Sequence, residues 1–129
     1  MATISREEGI PPLLTVAVGL VETGLRNIDT EGNPGKGWFQ MRIHDLPYSS
    51  SERPPTLEEA RDLEFATREF CRAAAREIVL DPLLRRDLTA WAVKTQGVGW
   101  HLHRNEPFMP ANFAAYLHEA AGLLRAFDR

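Results

Sequence analysis

From Arg26 to Pro55 the chain loses the helical spacing of apolar residues that marks most of its length. Gly32, Gly35, Gly37, Pro34, Pro47 and the run Ser49-Ser50-Ser51 break this stretch into turns. Loops longer than about 12–15 residues are uncommon inside a compact domain and are usually functional or disordered. Trp38, Phe39, Met41, Ile43, Leu46 and Tyr48 give this one apolar anchors enough to be ordered. The fold is thereby constrained to helices packed around one long Gly-rich loop, with little or no β structure.

The flanking segments read as helices with identifiable ends. Ser5 with Glu8 forms a capping-box pattern for a brief first helix that Gly9 stops. Pro11-Pro12 then suits the first turn of a helix running from about Pro12 to Thr23, with Leu14, Ala17, Val18 and Val21 at helical spacing and Gly24 as its stop. Thr56 with Glu59 opens a long helix to about Leu80, whose stripe is Ala60, Leu63, Thr67, Phe70, Ala74 and Ile78. Asp81-Pro82 starts a third that ends near Gly97 or Gly99, and Phe113, Leu117, Ala120, Leu124 and Phe127 define the last, after a link from Trp100 to Pro107. Four main helices around one loop, without internal repeat or interior linker, imply a single mainly α domain over 1–129.

Composition excludes several classes. An apolar share of 43% and a charged share of 26% are those of an ordinary globular domain. Fifteen basic against eighteen acidic residues, with no basic cluster, leave nothing to track a phosphate backbone, so no nucleic-acid partner is expected. The longest apolar run, Leu13 to Val21, is far short of a membrane span, and no membrane partner is expected. Cys71 is the single cysteine and is expected to be a buried, inert thiol. His101 and His103 form an H-x-H pair, with His44 and His118 elsewhere, but no HExxH pattern or cysteine pair accompanies them; neither metal nor cofactor is expected. Met1 to Glu8 holds Ser5, Arg6 and two glutamates where a secretory leader has a basic start and an apolar core.

The sharpest local conflict is Glu22, a carboxylate that ends the apolar stretch at the C-terminal turn of its helix. Partial desolvation and the negative end of the helix dipole both disfavour its charged form. A carboxyl that holds its proton near neutral pH is what a general acid requires, and a glycosidic oxygen leaves poorly until it is protonated. Asp29, Glu31 and Asp45 are the loop acids available as a second carboxylate.

Around this residue the segment PLLTVAVGLVETGLRN (12–27), followed by Gly37-Trp38-Phe39-Gln40-Met41, resembles the lytic transglycosylase and goose-type lysozyme group of the lysozyme superfamily. That group carries an apolar helix ending in Glu-Ser-Gly, a Gly-rich loop, then Gly, two hydrophobics, Gln and another hydrophobic. Both halves agree here, as does the spacing of eighteen positions from Glu22 to Gln40. The resemblance covers about Ile10 to Arg42; the Trp91 helix and the stretch from Phe113 to Leu124 with Tyr116 resemble shorter lysozyme-like domains of phage and actinobacterial proteins. A third landmark of many lytic transglycosylases, Ala-aromatic-Asn-small-Gly, has only Val93-Lys94-Thr95-Gln96-Gly97 as its counterpart, which lacks the Tyr-Asn pair.

The resemblance implies a lysozyme-like fold and cleavage of the β-1,4 bond between N-acetylmuramic acid and N-acetylglucosamine in peptidoglycan. Glu22 takes the place of the single acid/base, and Thr23 that of the family's Ser, keeping the hydroxyl. Gly37 is expected to let the backbone pass close to the sugar, Trp38 and Phe39 to flank it, and Gln40 to stand beside the acid. The product is either a 1,6-anhydro sugar or a hydrolysed one. Delivery to the wall is expected as part of a phage tail or virion, or by excision from a larger secreted chain. The alternative is a lysozyme-fold module without turnover, such as a tail component that holds glycan or packs on a neighbour.

Overall fold

The computed structural model describes residues 1–27, 35–42, 53–97, 100 and 110–127. Among these it is mainly helical, with six α-helices and one two-stranded antiparallel hairpin. The helices are α1 (Ala2–Glu7), α2 (Pro12–Thr23), α3 (Leu57–Arg61), α4 (Leu63–Leu80), α5 (Leu88–Gln96) and α6 (Phe113–Phe127). Strands β1 (Gly35–Lys36) and β2 (Met41–Arg42) pair Gly35 with Arg42 and Lys36 with Met41. Short 3₁₀ turns at Pro82–Arg86 and Pro110–Asn112 precede α5 and α6.

Helix α2 runs from Pro12 to Thr23, with Pro in its first turn and Gly24 in the left-handed conformation as its cap, as its sequence implied. Every residue from Leu14 to Val21 is buried. A helix that is apolar on all sides has to be surrounded, and α2 packs along α6 while also touching α1, α4 and α5. Leu14, Ala17 and Val18 join Phe39, Met41, Phe70, Trp91 and Phe113 in one buried cluster.

Three expectations are corrected. Ser5 is not a cap: α1 begins at Ala2, and Ser5 lies buried inside it. Its Oγ donates to the Ile10 carbonyl at 2.8 Å and shares a hydrogen bond with Thr15 Oγ1 at 2.7 Å, because a buried hydroxyl needs partners. The long second helix is two. Thr56 and Glu59 do form the capping box of α3, but the backbone turns extended at Asp62, whose side chain accepts from Phe65 N at 2.8 Å and starts α4 afresh. Likewise the segment after Asp81-Pro82 is a 3₁₀ turn; Asp87, accepting from Ala90 N at 3.0 Å, is the cap that starts α5. Asp favours such caps over a helix interior because its short side chain competes for nearby backbone N–H groups.

Cys71 is buried, with its thiol 3.9 Å from Thr15 Oγ1, and burial pushes that thiol up from its ordinary value, which keeps it protonated and unreactive. Arg68 ties α1 to α4 through Glu7 at 2.9 Å and Glu8 at 3.0 Å, and pairs within α4 with Glu64. No helix among the described residues is long and apolar enough to cross a membrane.

Candidate active site

The cap of α2 sets the site. Gly24 and Leu25 both take positive φ, at 65° and 61°, so the chain reverses sharply one residue after Thr23. Glu22 is left on the last turn, partly buried, lining a cavity of about 500 Å³ with Leu20, Thr23, Arg26, Tyr116 and Glu119. Burial pushes the Glu22 carboxyl from 4.5 up to about 7. Two donors work against that shift by stabilising the anion: the indole Nε1–H of Trp100, which hydrogen-bonds Glu22 Oε1, and the Gln96 carboxamide at the end of α5.

Trp100 is itself buried and packs edge-on against Phe113 of α6, centroids 5.7 Å apart. The indole therefore sits between the Phe113 ring and the carboxyl, with its N–H donated to Glu22 Oε1. Replacing Trp100 with Phe keeps the apolar packing and deletes the N–H. With a donor to the anion gone, the Glu22 carboxyl carbon is expected to titrate above 7, as read by NMR of ¹³C-labelled chain; a downward move would show that the indole does not stabilise the carboxylate.

Among the described residues expected at the site besides Glu22, which are Thr23, Gly37, Trp38, Phe39 and Gln40, Thr23 alone lines this cavity, and its hydroxyl is already engaged. Thr23 is buried, and its Oγ1 reaches the carbonyls of Gly19 and Trp38, each at 3.1 Å, while accepting from Arg26 N at 3.1 Å. It fastens the loop to the end of α2.

The loop residues serve packing in place of the sugar contacts expected of them. Gly37, at φ +71°, is buried against α3, and a Cβ there would stand 1.9 Å from the Ala60 carbonyl oxygen. The close approach that glycine permits is to a helix backbone. Phe39 has no exposed surface and stacks on Phe70 at 4.8 Å, so it has no face to offer a ligand. Trp38 Nε1 donates to the Arg61 carbonyl at 2.9 Å, and its ring lines a separate apolar cavity of about 470 Å³ with Met1, Val16, Leu25, Leu63 and Leu124. Gln40 turns its carboxamide into its own loop, Nε2 donating to the Gly37 carbonyl at 2.9 Å. Among the described residues the lining of the apolar cavity carries no titratable side chain, whereas the other cavity contains Glu22.

The loop acids Asp29, Glu31 and Asp45, and His44, His101 and His103, lie outside the described residues; His118 is exposed on α6. Four residues around Glu22 carry no mark in the sequence: Gln96 and Trp100, which hydrogen-bond its carboxyl, and Arg26 and Glu119, which line its cavity. Gln96 belonged to the segment compared with the third family landmark, and Glu119 follows Tyr116 by three positions on one flank of α6, a spacing that puts both side chains on the same face. Burial first, then the Glu119 charge, push the Tyr116 phenol above its ordinary value, so it remains a neutral hydroxyl donor.

No known protein family, no curated protein and no solved structure shows a significant match to this chain.

Proposed function

We propose that the chain cleaves the glycan strand of peptidoglycan between N-acetylmuramic acid and N-acetylglucosamine, in a lysozyme-like helical fold, with Glu22 as general acid and then base. The observation that carries the reading is a carboxyl pushed to about 7, held by Trp100 and facing a cavity large enough for part of a sugar chain. Near neutral pH such a group exists in both forms, so it can give a proton and take one back. Protonated Glu22 donates to the glycosidic oxygen, the C1–O bond breaks with its electron pair leaving on that oxygen, and an oxocarbenium-like centre remains. Water or the sugar's own 6-hydroxyl then attacks C1 and yields its proton to the Glu22 carboxylate. The Trp100 and Gln96 donors stabilise that carboxylate while it is charged. The substrate class comes from the resemblance of residues 10–42 to lytic transglycosylases and goose-type lysozymes.

A glycan-holding or structural module of the same fold is the second reading. In its favour is the packing role of Gly37, Phe39 and Gln40, none of which lines the described part of the cavity. Incubating the chain with purified sacculi and weighing the released muropeptides by mass spectrometry separates the two. Release is expected, and a mass lower by one water identifies the anhydro product; no release at any pH between 5 and 8 favours the module.

A further inference from the structure

We infer that Arg26 is a carboxylate-binding point of the Glu22 cavity, so that the glycan it takes carries an acidic group on a sugar beside the bond being cut. The inference rests on the reading of Glu22 as the acid, and adds to it the residue that recognises the acidic sugar. The turn at Gly24-Leu25 brings the chain back over the end of α2, and Arg26 is anchored there at two points: its N–H on Thr23 Oγ1 at 3.1 Å and its Nε on the Thr23 carbonyl at 3.2 Å. Anchoring through Nε fixes the plane of the guanidinium and leaves the two Nη groups as a fork. Among the described residues neither Nη has a partner, although Glu22 and Glu119 line the same cavity.

Arg26 is also not the counterion of the acid. A cation in contact with Glu22 would pull its carboxyl down, whereas the groups that oppose its upward shift are Trp100 and Gln96, and Arg26 is not one of them. The arrangement thus keeps a positive charge in the cavity without spoiling the raised acid. A pre-oriented guanidinium fork matches a carboxylate in bidentate fashion, and a glycan of N-acetylglucosamine alone has none to offer. Muramic acid supplies one in two places, on its lactyl ether or at the end of a peptide attached to it.

The test uses the Glu22→Gln chain, which keeps bound glycan intact, and measures equilibrium binding by calorimetry. The ligands are short β-1,4 glycans: one of N-acetylglucosamine only, one with a free lactyl acid, one with a dipeptide on the lactyl group, and the amide-capped form of each acid. Because Arg26 is exposed, the expected preference for an acid over its capped form is about threefold to fivefold at low salt, falling as salt is added. It should vanish when Arg26→Gln is added and be reduced by Arg26→Lys, which keeps the charge but not the fork. Whether the lactyl or the peptide acid shows the larger preference identifies the source. Glycans bound equally whether capped or not, or a preference that survives Arg26→Gln, overturns the role of Arg26 and leaves the Glu22 reading standing. Failure of every glycan to bind overturns both.

Discussion

Glu22→Gln is expected to lower muropeptide release by about 10³-fold, within the range usual for loss of a positioned general acid. Gln has the same shape and still offers an oxygen to the Trp100 indole, so the fold should persist, but it has no proton to give. The same variant carries a second signature that does not depend on any substrate. In the folded chain the Glu22 carboxyl stands at about 7 against 4.5 for the free side chain. Its neutral form is therefore favoured by folding, and its contribution is fully present below pH 4.5. As pH rises the unfolded chain ionises first, and stability is lost between about 4.5 and 7. A shift of this size corresponds to roughly 3 kcal/mol at the alkaline end, at about 1.4 kcal/mol for each pH unit. Urea denaturation should show the Gln variant gaining on wild type from pH 4 to pH 8 by about that amount. Should the two track each other across pH, Glu22 is not a raised acid; should the pH signature appear while release is unchanged, the carboxyl is raised but does no chemistry. The wild-type rate is expected to fall on the alkaline side with a midpoint near 7, as the acid form is depleted.

The parts of this fold legible in the sequence are those set by local chemistry. The bounds of helix α2 are legible because Pro11-Pro12 and Gly24 act on their own neighbours, and the elevated Glu22 is legible because an acid at the end of an apolar helix conflicts with its setting whatever lies around it. The break at Asp62 was missed because the apolar stripe continues across it, and only the hydrogen bond to Phe65 N shows that the helix restarts. Trp100 lies 78 positions from Glu22, and nothing near either residue in sequence marks the pair. The loop was misread for a different reason. A glycine followed by two aromatics and a glutamine looks the same whether the bare backbone is needed against a ligand or against a neighbouring helix. Here Ala60 takes the place that a sugar was expected to fill.

That distinction gives the second large effect, on stability. Gly37 and Gly9 share a left-handed backbone, at φ +71° and +74°, yet nothing lies within 4 Å of a Cβ added at Gly9, while one at Gly37 would be driven into the Ala60 carbonyl. Gly9→Ala should therefore cost only the conformational penalty, about 1–2 kcal/mol. Gly37→Ala adds a clash with backbone that no rotamer change relieves, and the hairpin would have to lift from α3. Lifting would also strain the hydrogen bonds by which Trp38 holds the Arg61 carbonyl and Thr23 holds Trp38. A cost of about 3 kcal/mol or more is expected, since an overpacked site with disrupted hydrogen bonds falls in the upper range of single substitutions. Urea midpoints of the two variants measured side by side isolate the packing part, because the backbone penalty is common to both. Equal losses would mean that β1 and β2 leave α3 at little cost, and the close contact with Ala60 would then not be what requires glycine at this position.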